Sequence, residues 1–327
     1  MADSGNMISV LSNFPKMIEE ASKLGDDITL AKDLIDKIVV SGMGGSGFTG
    51  DLLKVYMEDS PIPITVVKDY SLPAFADKKT LVIAISYSGN TEETISAYRS
   101  ALRRGCKLVS ISSGGKLEEL SKMNKVQHIK IPGGFQPRLT TPYLFTAVIN
   151  MLNAAGILDD QEKAIKMCIK EMSASGKKVE ASGKEIAKKL KGKLPLIYSS
   201  QRMFAVAEKW KTDINENAKT HAFYNVLPEF NHNEICAFEN QGLSSHVLLL
   251  SDPKDHEKVK KRIEIFKKLT AQYKVPVTEV GIVGENFLTR LMTSVWMGLF
   301  SAYYLALENG VDPTPVKIIE QLKKELA

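Results

Sequence analysis

Apolar residues follow two alternating rhythms along the first half of the chain. Short, nearly unbroken Val/Ile/Leu runs, KIVVSG, PITVVKD, LVIAIS, CKLVSISS and VQHIKIP, are interleaved with stretches such as TGDLLKVYME and TEETISAYRSALRRG, where apolar residues recur every three or four positions. Runs of the first kind predict strands buried on both faces, and the second kind predicts helices laid over them. Together they describe a parallel sheet. Gly105 stands where the second helix should stop, as a C-terminal cap. Ahead of the first strand, Ile8, Leu11, Phe14, Met17 and Ile18 are spaced for one amphipathic helix.

The loop GGFQPRLTTP, residues 133–142, and the apolar helix YLFTAVINMLNAAG close this half. A boundary is expected after Gly156, giving domains of 1–156 and 157–327 with a lysine-rich helical stretch over 159–193 as the bridge. The second half repeats the order: the strand and hydroxyl-bearing turn of LPLIYSSQ, a helix, SHVLLLSD, a helix over 256–273, VPVTEV, and a long apolar helix over 287–308. LIYSS stands where VVSGMGGSG stood, without the glycines. In the last helix Val316, Ile319, Leu322 and Leu326 form a stripe expected to be buried. The fold class expected is α/β, with two domains that each carry a mainly parallel sheet flanked by helices.

Composition narrows the setting. The 327 residues, 44% hydrophobic and 25% charged, suit a globular protein. With no run of 18 apolar residues and no basic-then-apolar start, neither a membrane span nor a secretory signal is expected. Cys106, Cys168 and Cys236 are few, odd in number and far apart, so no disulfide framework and no metal site is expected, and a cytoplasmic location follows. The net charge of +5 is spread over helices such as KKVEASGKEIAKKLKGK and forms no nucleic-acid stripe. It is compatible with phosphorylated substrates without singling them out.

Two turns carry candidate chemistry. Gly42-Met43-Gly44-Gly45-Ser46-Gly47 follows a strand and opens a helix, an arrangement that aims backbone N–H groups at an anion. It also satisfies the dinucleotide fingerprint, and Asp69 lies where a ribose-binding acid could sit, so an NAD(P)-dependent dehydrogenase is a rival reading. A P-loop is excluded, because no Lys-Ser/Thr pair follows the glycines. The second turn, Ser86-Tyr87-Ser88-Gly89-Asn90-Thr91, ends another strand of the same sheet. Thr91 with Glu92 and Glu93 is a good helix start by itself. The additional serines and glycine favour a ligand-binding turn, and a small phosphate ester uses such hydroxyls where a dinucleotide does not need them.

GMGGSG followed by SYSGNTEET resembles the sugar isomerase (SIS) domain, whose members bind phosphosugars, and the resemblance covers both halves. GGFQPR, INENAKT, PEFNHNEI and DPTPVKIIEQLKKEL are similar to segments of the archaeal-type bifunctional phosphoglucose/phosphomannose isomerases. The resemblance implies two SIS domains, a cofactor-free aldose–ketose isomerase of hexose 6-phosphates working through a cis-enediol, and a place in glycolysis and gluconeogenesis. It makes Glu216 the base, His232 the ring-opening residue supplied by the other subunit of a homodimer, Arg138 the partner of the enediolate oxygen and Lys323 an assistant to His232. Phosphate falls to Gly45, Ser46, Gly47, Ser86, Ser88 and Thr91. A sugar-phosphate-binding module without catalysis remains an alternative.

These residue types suit the reaction. A carboxylate can take a proton from one carbon and return it to the next. A fixed guanidinium stabilises the oxyanion, and histidine titrates near neutrality for ring opening. Periodicity supports the positions unevenly. Met203, Ala207, Trp210 and Ile214 form the apolar stripe of their helix, with Glu216 roughly opposite, so spacing alone reads Glu216 as a solvated acid. Lys323 flanks the last stripe while Lys317 points away, and spacing alone leaves it an ordinary surface lysine. His128, His221, His246 and His256 read as structural or surface residues, whereas His232 sits in a polar loop. Thr314 starts the segment expected to govern room for the mannose epimer.

Overall fold

The computed structural model describes residues 3–240 and 242–326. Two short helices open the chain, α1 (Met7–Ser12) and α2 (Phe14–Ala21), where spacing predicted one. The sheet region follows as β1 (Lys37–Ser41), α3 (Gly44–Tyr56), β2 (Ile64–Val67), β3 (Thr80–Ile85), α4 (Glu92–Arg103), β4 (Lys107–Ser112), α5 (Gly115–Asn124), β5 (Gln127–Lys130) and α6 (Thr141–Ala154). The 29-residue α7 (Glu162–Leu190) leads into β6 (Leu194–Ser200), α8 (Phe204–Ala218), β7 (Phe223–Leu227), β8 (Ser245–Ser251), α9 (Glu257–Gln272), β9 (Val277–Gly281), α10 (Phe287–Glu308) and α11 (Lys317–Leu326). Helix α5 and strand β7 were not among the predicted elements.

The chain divides into two compact units. The first holds residues 14–171 with 286–289, and the second holds the stretch through Asn13, 172–285 and the residues from Arg290 on. The division falls within α7 and α10.

The first unit is built on an all-parallel sheet in the order β2-β1-β3-β4-β5. Successive side chains of a strand face opposite sides, so both faces need cover. Val40 and Val66 meet α3 at Gly50, where a Cβ would come within 3.0 Å of both. Val39, Val67 and Val82 pack with Ala97 and Ala101 of α4 on the other face. The strand order reverses between β1 and β3, and the carboxyl ends of those strands flank the crevice where open α/β sheets bind ligands.

The second unit carries a second all-parallel sheet, ordered β7-β6-β8-β9. Tyr198, Phe230, Val247, Leu249 and Phe266 form its aromatic-rich core under α9. Trp210 of α8 donates to Ser294 O at 2.8 Å and lies against Gly298, fixing α8 on α10. Its switch point, between β6 and β8, is occupied by the chain's own charges. Asp252 pairs with Arg290 at 3.1 Å, and Asp255 accepts from the Asp252 amide at 3.2 Å. Burial pushes the Asp255 carboxyl above its ordinary range, with Ser200 and Arg202 opposing that shift. The crevice that the first sheet leaves to a turn of hydroxyls thus already holds carboxylates in the second. No helix among the described residues is long and apolar enough to cross a membrane, and no His/Cys/Asp/Glu cluster among them could hold a metal ion.

Candidate functional site

At the switch point of the first sheet, β1 runs through Gly42 and Met43 into the first turn of α3, which contains Gly45, Ser46 and Gly47. The amides of Ser46 and Gly47 turn back to Met43 O, at 3.1 and 3.2 Å. The positive end of the helix dipole therefore lies beside the crevice. Gly45 is required by close approach: a Cβ there would lie 2.5 Å from Pro137 O and 3.2 Å from Arg138 Cα. The segment carrying Arg138 therefore crosses directly over the helix start, and Arg138 itself is buried.

Ser86, Ser88 and Thr91 leave the end of β3 as a single turn locked onto that helix start. The Tyr87 amide donates to Ser46 Oγ at 3.1 Å. Ser86 Oγ donates to Thr91 Oγ1 at 2.8 Å and accepts from the Thr91 amide at 3.3 Å, while Ser88 Oγ accepts from the Asn90 amide at 3.3 Å. A hydroxyl has one hydrogen and two lone pairs. In these bonds Ser46, Ser88 and Thr91 accept, so each keeps its hydrogen for an anion. Ser86 has given its hydrogen to Thr91 and serves as the fastener of the turn. Thr91 occupies the N-cap position of α4, yet its hydroxyl makes no capping bond. The opposite wall is fixed by Tyr87, whose hydroxyl donates to Pro132 O at 3.2 Å and accepts from the Phe135 amide at 2.8 Å. In the same loop Gln136 Oε1 is buried without a hydrogen-bond partner, an acceptor that no spacing or motif singles out.

Glu216, His232 and Lys323 all belong to the second unit. Glu216 lies in the last turn of α8 and is half-buried, not fully solvated. The predicted stripe of Met203, Ala207, Trp210 and Ile214 is buried as expected, but Lys209, Asp213 and Asn217 are buried as well. Charged residues enter a protein interior only with partners, and Lys209 and Asp213, one turn apart, form an ion pair. Glu216 therefore borders a buried polar row. Lys219, just past the helix end, donates to Glu216 O at 2.6 Å and to Pro313 O at 3.3 Å, tying the Glu216 turn to the segment before α11. In that segment Thr314 is half-buried and donates from Oγ1 to Asp3 Oδ1 at 3.3 Å.

His232 is exposed between two anchors. Two residues before it, Phe230 is buried and stacked on Tyr198 at 4.5 Å between ring centroids. Two residues after it, Glu234 accepts from Tyr198 Oη and from Asn225 Nδ2. Both flanks are pinned to one core tyrosine, so the histidine between them is held outward. The expectation for the last helix needs correcting. Ile319, Leu322 and Leu326 of α11 are 36%, 57% and 71% exposed, and α11 buries no residue. An amphipathic pattern records that a face needs cover, and the described residues leave this one exposed. Lys323 flanks that exposed row and is itself exposed.

Comparison with known proteins agrees with this architecture. Residues 35–133 match the SIS domain, and residues 179–326 match the bacterial phospho-glucose isomerase C-terminal SIS domain. Among solved structures, the C-terminal domain of glucosamine-fructose-6-phosphate aminotransferase from Francisella tularensis superimposes with a TM-score of 0.74. It covers 96% of this chain and 99% of that one at 17% identity, a likeness of fold. The chain is a double-SIS protein. A bifunctional phosphoglucose/phosphomannose isomerase of Caldicellulosiruptor bescii is 38% identical, with 98% of this chain and 99% of the relative aligned. One from Aquifex aeolicus is 40% identical over 91% of this chain and 93% of its own length. A D-glucosamine-6-phosphate 4-epimerase of Sulfolobus acidocaldarius is 34% identical over 72% of this chain and 74% of its own. The chain belongs to the bifunctional phosphoglucose/phosphomannose isomerase family.

Proposed function

We propose that this protein interconverts glucose 6-phosphate and mannose 6-phosphate with fructose 6-phosphate through a cis-enediol. The observation that carries the reading is full-length kinship with isomerases of that name, joined to a hydroxyl-lined turn at the sheet's switch point. In this reading the helix start at Gly45, Ser46 and Gly47, through the positive end of its dipole, and the hydroxyls of Ser46, Ser88 and Thr91 bind the phosphate. Ser86 holds the turn. Glu216 moves the proton between C1 and C2, Arg138 stabilises the enediolate oxygen, and His232 with Lys323 opens the ring. The functional division is 1–156 for phosphate and 157–327 for acid–base chemistry. The setting is cytoplasmic carbohydrate metabolism, in glycolysis and gluconeogenesis.

A homodimer in which His232 acts in the partner's site belongs to the same proposal. The exposed apolar row of α11 and the outward-held His232 support it. Mixing inactive Glu216→Gln and His232→Ala variants should restore activity if subunits exchange and sites are shared. The test of the reaction is a coupled assay of glucose 6-phosphate formed from fructose 6-phosphate, run beside one for mannose 6-phosphate. Glu216→Gln should lose at least about a hundred-fold in kcat. Retained activity in the folded variant removes Glu216 as the base, and saturable binding without turnover in the native protein makes it a binding module. Glucosamine 6-phosphate is the control substrate set by the Sulfolobus relative.

A further inference from the structure

One buried hydrogen-bond cluster in the first unit takes no part in the proposed reaction. His128 of β5 lies with Nδ1 2.7 Å from Ser110 Oγ and Nε2 3.3 Å from Ser112 Oγ, both on β4. Ser110 Oγ is 2.6 Å from Ser121 Oγ, and Ser121 Oγ donates to Leu117 O at 2.7 Å. Ser112 Oγ donates to Gly114 O at 2.8 Å and accepts from the Gly114 amide at 3.2 Å.

A neutral imidazole has one N–H for the two serines it faces. With the hydrogen on Nδ1, Ser110 accepts from His128 and gives its own hydrogen to Ser121, and Ser112 must divide its hydrogen between Gly114 O and Nε2. With the hydrogen on Nε2, Ser112 keeps its bond to Gly114 O, but Ser110 turns its hydrogen to Nδ1 and Ser121 must choose between Ser110 and Leu117 O. An imidazolium donates to Ser110 and Ser112 at once and leaves both arms intact.

The two arms of this cluster end on the segment that backs the phosphate turn. Ser113 donates to Tyr87 O from its amide at 2.9 Å and its hydroxyl at 2.7 Å. The Leu117 amide donates to Gly89 O at 2.8 Å, and the Lys116 amide donates to Asn90 Oδ1 at 3.0 Å. Gly114 O sits against Gly89, where a Cβ would be 1.8 Å away.

We infer that His128 is a positioning residue for the phosphate-binding turn. It holds Gly114 through Ser112 and Leu117 through Ser110 and Ser121, and its protonation tightens the turn's grip on a dianion. The inference rests on the reading of the Ser86–Thr91 turn as a phosphate cradle. Burial lowers the imidazole's proton affinity below the ordinary value; Glu118 of α5 opposes this, and Lys130 of β5 and Lys122 of α5 add to it. Lys122 and Lys130 hold the Glu118 carboxyl down to about 2, so it stays ionised throughout the range where His128 titrates.

Sulfate is the probe, because it remains a dianion where the substrate's phosphate would itself titrate. Its binding to the full chain is measured by calorimetry at about pH 7.5 and about pH 5, the lower point set below the ordinary histidine value because burial lowers that of His128. The native protein should bind about three- to ten-fold tighter at the lower pH, the worth of one hydrogen bond. His128→Gln, which can reach Ser112 but cannot gain a proton, should lose that pH dependence, and His128→Ala should bind several-fold more weakly at both. A merely structural histidine would alter thermal stability and leave the pH dependence intact. Equal pH dependence in native and His128→Gln protein, with Ser46→Ala weakening sulfate binding several-fold, overturns the role of His128 and leaves the cradle standing. Undiminished sulfate binding by Ser46→Ala overturns the cradle, and this inference with it. Should His128→Ala not fold, His128→Gln decides alone.

Discussion

Replacing Gly89 by alanine tests how the turn at the end of β3 is held. Gly89 has φ +73°, and a Cβ would stand 1.8 Å from Gly114 O. The left-handed backbone alone costs an L-residue about 1–2 kcal/mol. Relieving the overlap requires Gly114 to retreat by about 1.5 Å to ordinary van der Waals separation. That movement breaks the 2.8 Å bond from the Leu117 amide to Gly89 O and strains the two bonds from Ser113 to Tyr87 O. At about 1 kcal/mol for the bond lost, the total is about 2–3 kcal/mol. Thermal unfolding should report it as a fall of about 5–10 °C. Steady-state kinetics should show KM for fructose 6-phosphate raised at least about ten-fold with kcat changed less than about three-fold, because uniform binding is what the turn supplies. Gly156→Ala is the control: φ is +66° and nothing lies within 4 Å of a Cβ, so only the backbone cost applies. If Gly89→Ala behaves no worse than Gly156→Ala in both assays, the 114–117 segment does not shape the turn and the geometric argument is wrong.

Ser46→Ala leaves the Tyr87 amide without its acceptor and removes one hydroxyl donor; KM should rise several-fold with kcat nearly kept, and an equal fall in kcat and kcat/KM would contradict a phosphate role. Burial lowers both His128 and His246 below 6.5, so the folded state binds fewer protons than the unfolded one between the lowered values and 6.5. Their contribution is therefore complete above 6.5 and is lost as pH falls through the folded values, and a melting midpoint flat from about pH 7.5 to about pH 5 would refute it. Leu322→Glu should convert a dimer to a folded monomer in sedimentation experiments, since Leu322 is exposed within one chain; a native protein that already sediments as a monomer rules out the shared site. Lys209→Met should destabilise by about 3–5 kcal/mol by leaving Asp213 buried without its ion-pair partner, and adding Asp213→Leu should restore most of that in denaturant titrations.

The strands and hydroxyl-rich turns of the first unit were legible because each is written locally. Continuous Val/Ile/Leu runs can be satisfied only between two covered faces, and a phosphate turn needs glycine and serine at the strand end itself. Helix α5 escaped detection because its buried positions are Leu117, Glu118 and Ser121, one apolar residue in a polar face that pays no attention to hydrophobic period. Strand β7 escaped because it is a sheet edge with Phe223 and Tyr224 both exposed, so it shows neither alternation nor a buried run.

Helices α8 and α11 failed in opposite directions, and the difference locates what spacing can establish. In α8 the apolar stripe was read correctly, but Lys209, Asp213 and Asn217 are buried too, so Glu216 borders a polar interior where spacing placed open solvent. In α11 the stripe exists, but Ile319, Leu322 and Leu326 are exposed, so Lys323 flanks a face that the described residues leave uncovered. Hydrophobic period assigns residues to faces; what each face meets depends on polar partners and on other surfaces, which lie outside the period. The glycine- and hydroxyl-rich turns at the strand ends were therefore readable from residue type alone. The surroundings that would tune Glu216 and Lys323 required coordinates, because one is set by buried charges and the other, in the proposed dimer, by a second copy of the chain.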